Sequence, residues 1–291
     1  QRMAMSSRMT TQALPLQNPE APLVQSGVHG ENDLSYEQAY SKHMGALYAD
    51  KAGRVVRADP KNITVAYRDG TKEEKQLYHN FPYNRKTYVH NTPLVKVGDV
   101  VKAGQILAKS NFTDDKGTTA LGINARVAYV PFRGMNFEDA IVISESFAKR
   151  LSSEHMYQET KDWGSDIKQG KKNYVGIFPG RYKRDLLERM DDDGVILEGQ
   201  IVNKDEPLIL AAQQQSKARN KVHKQRQAGH TDASVTWHHN NPGVVTDVLK
   251  TKKGTTVLVK SIAPMQVGDK LTGRYGGKGI IPEITPDGQM P

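Results

Sequence analysis

The stretch Pro93-Leu94-Val95-Lys96-Val97-Gly98-Asp99-Val100-Val101-Lys102-Ala103-Gly104-Gln105-Ile106-Leu107-Ala108 decides the fold class. Its apolar residues come in strand-sized pieces, with Gly98-Asp99 and Ala103-Gly104 as turns between them. Upstream, Gly53-Arg54-Val55-Val56 and Asn62-Ile63-Thr64-Val65-Ala66-Tyr67 repeat the texture, and Asp69-Gly70 is a strong hairpin signal. Short strands at this spacing predict a small barrel or sandwich.

Downstream, Ala125–Val130 reads as a strand, Pro131-Phe132-Arg133-Gly134-Met135-Asn136 as a turn, and Ala140–Ile143 as a second strand. Ser144 is placed to cap one or two helical turns over residues 145–150. Residues 161–194 are charged, with a helix expected at Arg184–Met190 and stopped by Asp191-Asp192-Asp193-Gly194. Val195–Val202, Pro207–Ala212, Gly243–Leu249 and Thr255–Ile262 read as strands, the last two joined by a Lys252-Lys253-Gly254 turn. Residues 1–44 are polar and turn-rich. Pro15, Pro19 and Pro22 predict extended backbone there rather than helix. The expected class is mostly β with short helices.

At 291 residues the chain suits about two domains, or one large domain with insertions. Lys and Arg number 41 against 32 Asp and Glu, a net charge of +9 that favours a polyanionic partner. There are no cysteines, which excludes disulfides, Cys-ligated zinc, iron–sulfur clusters and a thiol nucleophile. No apolar run reaches the ~18 residues of a membrane span, so no membrane partner is expected. Gln1-Arg2-Met3 opens no signal peptide and suggests a piece of something longer.

The sharpest chemical feature is Gly268-Asp269-Lys270-Leu271-Thr272-Gly273-Arg274-Tyr275-Gly276-Gly277-Lys278-Gly279. Glycines let backbone approach a phosphate closely, Lys supplies point charges and Arg a bidentate fork. Gly279 stands where a Walker loop needs a hydroxyl. A solvated basic turn is the plainer alternative, against which stand three cations spaced every four residues. Glu138-Asp139 pairs two carboxylates, which beside a polyphosphate site typically hold Mg²⁺. Adjacent strand residues face opposite ways, so joint action needs a bend there. An acidic cap on the following segment is the other reading. The basic run Lys217, Arg219, Lys221, Lys224 and Arg226 is a solvated face or a phosphate-backbone contact. His238-His239 lacks metal-ligand company, and no Gly-x-Ser-x-Gly elbow supports a hydrolase.

Two resemblances follow from these residues. Lys96–Leu107 is similar to a biotinyl or lipoyl carrier hairpin, but Asp115-Lys116-Gly117 lacks the residues that flank a carrier lysine, so the run is read as a structural barrel-sandwich module. The segment Gly122-Ile123-Asn124-Ala125-Arg126-Val127-Ala128-Tyr129-Val130-Pro131-Phe132-Arg133-Gly134-Met135-Asn136-Phe137-Glu138-Asp139-Ala140-Ile141-Val142-Ile143-Ser144-Glu145 resembles the β-subunit signature of multisubunit DNA-dependent RNA polymerases. Gly268–Gly279, with Met290-Pro291 beyond it, resembles that subunit's second signature, and Arg2–Pro15 with Pro19–Val24 the stretch that opens its hybrid-binding region.

This resemblance implies a double-psi β-barrel with an inserted barrel-sandwich module and a flap-like excursion. The expected divisions are an extended segment at 1–44, the module at 45–112, barrel parts at 113–160 and 243–291, and the flap-like region at 161–242. It places Lys270 and Lys278 on RNA 3′-end phosphates or the initiating nucleotide, Arg274 and Arg2 near nucleotide or RNA, and Gln12 near nascent RNA. Glu138 and Asp139 fall near a second Mg²⁺ carried by the nucleotide. With Lys270 and Lys278 they form the expected catalytic set. The aspartates for the first Mg²⁺ are expected on a β′-type partner, since no Asp-x-Asp-Gly-Asp occurs here. Further expected partners are the remaining β-type segments, template DNA, the RNA–DNA hybrid and nucleoside triphosphates, in the cytoplasm or a virion. Arg8, Thr10, Thr11, Tyr275 and Phe132-Arg133-Gly134-Met135 depart from the bacterial pattern and suggest a divergent, phage-encoded enzyme, present as a fragment or split subunit. A stand-alone nucleic-acid-binding barrel without catalytic duty is the rival reading.

Overall fold

The computed structural model describes residues 2–27, 34–83, 86–214 and 229–291, with side chains from residue 7 onward. It is mostly β with a few short helices and divides into two compact units, one of residues 1–154 with 263–291, the other of residues 155–262.

The first unit holds a four-stranded antiparallel sheet in the spatial order Lys72–Gln76, Asn62–Tyr67, Gly53–Ala58, Val100–Val101. Alternation drives it: Ile63, Val65 and Tyr67 point inward while Asn62, Thr64 and Ala66 are partly exposed. Asp69-Gly70 forms the expected turn, with Gly70 at φ 81° and the Asp69 carboxylate accepting from the Thr71 N–H at 3.0 Å. Leu47–Tyr48, Ile106–Ser110 and Asn91–Pro93 make a second sheet. Val55, Ile63, Val65, Val101 and Leu107 form one core with residues of both sheets, each such side chain contributing about 1.5–3 kcal/mol by leaving water.

Elsewhere in this unit Ile143–Ser144 runs parallel to Ile284–Thr285, joining segments far apart in sequence. Ser144 caps the helix Glu145–Arg150, its side chain accepting from the Phe147 N–H at 3.2 Å. Ile143, Ala148, Leu151 and Ile281 form a second core, against which Leu16, Ile141 and Leu271 pack.

Three expectations change here; the first is the strand at Ala140–Ile143, of which only Ile143 lies in a strand, with Ala140 an isolated bridge. Residues 1–44 are not uniformly extended: Arg2–Ala13 is a helix, because the first proline stands at 15 and restricts only the residue before it and those that follow. Residues 125–130 form no strand. Val127 and Tyr129 of this stretch, and Phe137 after the turn, are exposed; apolar residues suited to a strand have no core face to cover here.

The second unit carries the sheet Ser153–Asp162, Gly254–Ala263, Gly243–Lys250, Ile201–Val202. It takes in the 243–262 hairpin as well as 161–242, because Val245, Val257 and Val259 share a core with Val202, Leu208 and Trp237. Trp237 is fully buried and donates its indole N–H to the Asn241 carbonyl at 2.8 Å. The helix expected at 184–190 spans Arg184–Glu188. The basic run at 217–226 lies outside the described residues.

Candidate active site

The Gly268–Gly279 stretch is a β-hairpin rather than a slack loop. Lys270–Thr272 pairs antiparallel with Lys278–Ile280 in the register Lys270 opposite Ile280, Leu271 opposite Gly279, Thr272 opposite Lys278. Residues opposite one another point to the same side of a sheet, so Lys270, Thr272, Lys278 and Ile280 share one face and Leu271 takes the other. Leu271 packs on the core of Ile143, Ala148, Leu151 and Ile281. With that leucine packed inward, partly buried, both lysines face outward, where both are exposed. They occupy diagonal positions, about 7–8 Å apart for such pairs. Among the described residues Lys270 makes no ion pair, leaving its charge for an anion.

At the tip the Gly273 N–H donates to the Gly277 carbonyl at 2.8 Å, and the Thr272 hydroxyl lies 3.0 Å from the same oxygen. Gly276 adopts φ 89° in this turn. At the base the Gly268 N–H donates to the Ile281 carbonyl and the Ile281 N–H to that of Asp269.

The acidic pair is brought to this hairpin through its backbone. The Ile280 N–H donates to the Asp139 carbonyl at 3.1 Å, the Ile141 N–H donates to the Ile280 carbonyl at 2.9 Å, and Ala140 bridges Ile280 in parallel. Gly279 is what permits this approach: a Cβ there would overlap the Asp139 carbonyl oxygen and lie 2.6 Å from Ile141 Cγ1. The bend required for two adjacent carboxylates to act together exists, since Glu138 has φ 55°, a left-handed conformation costly for a non-glycine residue. Both Glu138 and Asp139 are exposed. The preceding turn is held by Asn136, whose side chain accepts from the Phe132 N–H at 2.9 Å and donates to the Val130 carbonyl at 2.7 Å.

The other expected site residues are held in different ways. Gln12 is exposed on the first helix, and no hydrogen bond or ion pair among the described residues joins it to the hairpin. Arg2 begins that helix and its side chain lies outside the described part. Arg274 is engaged within the protein: its guanidinium pairs with Glu37 at 3.3 Å and donates to the Val24 carbonyl at 2.7 Å. The importance of Glu37 was not read from the sequence. Its one signal was the Ser35-x-x-Gln38 capping box that builds its short helix.

Among the described residues no group of three or more His, Cys, Asp or Glu side chains could hold a metal ion. Two exposed carboxylates suit a hard divalent cation as part of a shell completed by water and phosphate oxygens, and are too few to bind one alone.

The family model described as RNA polymerase Rpb2, domain 6, matches residues 48–291. The chain belongs to the RNA polymerase Rpb2 domain 6 family. It is 32% identical over 312 residues to the DNA-directed RNA polymerase subunit beta of Rubrobacter xylanophilus, covering all of this chain and 26% of that one. The same subunit of Thermus aquaticus is 31% identical over 313 residues, and that of Thermus thermophilus is 30% identical over 313 residues, each with 27% of the relative covered. This Rpb2 domain 6 chain thus spans about a quarter of the length of the curated relatives it matches. Both the lysine hairpin and the Glu138-Asp139 turn lie within the residues matched to the family.

Proposed function

We propose that the chain is the active-centre part of a β-type subunit of a DNA-directed RNA polymerase, folded around a double-psi β-barrel with a barrel-sandwich module at 45–112 and a flap-like region at 161–242. It acts in the cytoplasm of a bacterial or infected cell, as part of a complex. The β′-type partner supplies the aspartates for the first Mg²⁺.

Nucleotidyl transfer is a matter of position and charge more than of covalent help from the protein. Lys270 and Lys278 neutralise phosphate oxygens at the RNA 3′ end or on the incoming nucleotide. Glu138 and Asp139 hold or order the water of the second Mg²⁺, which when bound screens the triphosphate charge. Gln12 and Arg2 border the RNA and the nucleotide.

The observation that carries this reading is the pair of outward lysines on one hairpin face, with the acid-bearing segment hydrogen-bonded to the strand of Lys278. Lys270→Ala combined with Lys278→Ala in the assembled polymerase should lower the RNA extension rate at least ~100-fold and leave subunit assembly intact. Normal extension by that enzyme refutes the reading. The rival, a nucleic-acid-binding barrel without catalytic duty, predicts strong salt-dependent binding of nucleic acid by the chain alone.

A further inference from the structure

The geometry points to Arg274 as a positioning residue that ties the tip of the lysine hairpin to the segment around Val24 and Glu37, rather than as a ligand of phosphate. The inference rests on the reading of Lys270 and Lys278 as the phosphate-facing groups.

Arg274 sits in the turn between the two lysine-bearing strands, four residues from each lysine. Its two terminal nitrogens are both used: Nη1 pairs with Glu37 Oε1 at 3.3 Å and Nη2 donates to the Val24 carbonyl at 2.7 Å. Its guanidinium also lies 5.6 Å from the centre of the Tyr275 ring. Two of its five N–H donors are thus spent in different directions within the protein, which fixes the plane and place of the guanidinium even though its side chain is 47% exposed.

The receiving side is built to hold still. The Glu37 side chain is only 14% exposed, and its second oxygen accepts from the Ser26 N–H at 3.0 Å. Its backbone carbonyl accepts from both the N–H and the hydroxyl of Thr119, at 3.0 and 2.8 Å. Its helix starts at a complete capping box between Ser35 and Gln38. A hairpin tip rich in glycine has many accessible conformations, and an ion pair to an anchored carboxylate removes most of them. Both lysines then keep the spacing that two phosphate contacts need.

Hydrogen exchange in the assembled polymerase reads the tether independently of catalysis. Glu37→Gln should speed exchange of the amides between Thr272 and Lys278 about fivefold. The charge-reversed pair, Glu37→Arg with Arg274→Glu, should return exchange toward that of the native enzyme. RNA extension should follow, slowed by Arg274→Glu alone and largely restored by the reversed pair.

Unchanged exchange in Glu37→Gln overturns the inference. So does a reversed pair that extends RNA as poorly as Arg274→Glu alone, the result expected if the guanidinium met phosphate directly. Faster exchange with undisturbed extension upholds the tether and counts instead against the role given to the lysines.

Discussion

Gly279 and Asp139 approach so closely that the glycine has no room for even a methyl group beside the aspartate's carbonyl oxygen. The strand that bears Lys278 and the turn that bears the two acids are therefore one structural element, joined through hydrogen bonds at Ile280 on either side of Ala140.

Gly279→Ala must push the acidic turn off the hairpin. Overpacking of this kind costs about 1–3 kcal/mol, and the substitution should lower both the denaturation midpoint of the chain and the extension rate of the polymerase. Gly277→Ala is the matched control, because a Cβ at that position meets nothing within 4 Å. Equal effects from the two alanines would show that the contact at Asp139 is not the cause.

The two faces of the hairpin should separate stability from activity. Leu271→Ala removes packing on the core of Ile143 and Ile281 and, because the leucine is only partly buried, should cost about 1–2 kcal/mol in urea denaturation, less than the ~2–5 kcal/mol of a fully buried leucine. Lys270→Ala, on the exposed face, should leave the denaturation midpoint within about 0.5 kcal/mol of native while slowing extension. A stability loss at Lys270 matching that at Leu271 would contradict the register.

Ser144→Ala should destabilise the chain by about 1 kcal/mol, the usual value of a serine N-cap, since its side chain serves the Phe147 N–H. Ser144→Thr keeps the hydroxyl in place and should recover most of that loss in the same thermal melt.

Asp287 gives an acid-side prediction. The Ser146 backbone N–H, at 3.1 Å, and then the Ser146 hydroxyl, at 2.8 Å, hold its carboxyl below the usual carboxylate range. A group whose folded value is depressed stabilises fully above its unfolded value near ~4 and loses that contribution as pH falls through the lower folded value. Asp287→Asn should accordingly flatten the loss of stability below about pH 4. An acid limb as steep as that of the native chain would remove this residue from the account.

Much of the β structure was legible because alternation and turn chemistry are local. Asn62–Tyr67 with Asp69-Gly70, and the two long strands after Gly243, follow from residues that are neighbours in sequence. The helix at Arg2–Ala13 was hidden by extending the influence of Pro15 backwards over residues that it does not constrain. Ala125–Val130 has strand composition, yet strand formation depends on a partner edge that composition does not reveal. In the candidate site the lysines and acids stood out by type and spacing. The engagement of Arg274 did not, because Glu37 is 237 positions away and nothing local marks it as a partner.

The pairing of Ile143–Ser144 with Ile284–Thr285 has a consequence for biosynthesis. One strand of the pair leaves the ribosome long before the other, and all of residues 155–262 are translated in the interval. The paired residues stand 141 positions apart, so at ~5–20 residues per second the delay is roughly 7–28 s. Throughout it, Ile143, Ala148 and Leu151 wait without Ile281, and the lysine hairpin does not yet exist. The nascent chain therefore acquires its lysine hairpin only after the intervening unit has had time to fold by itself.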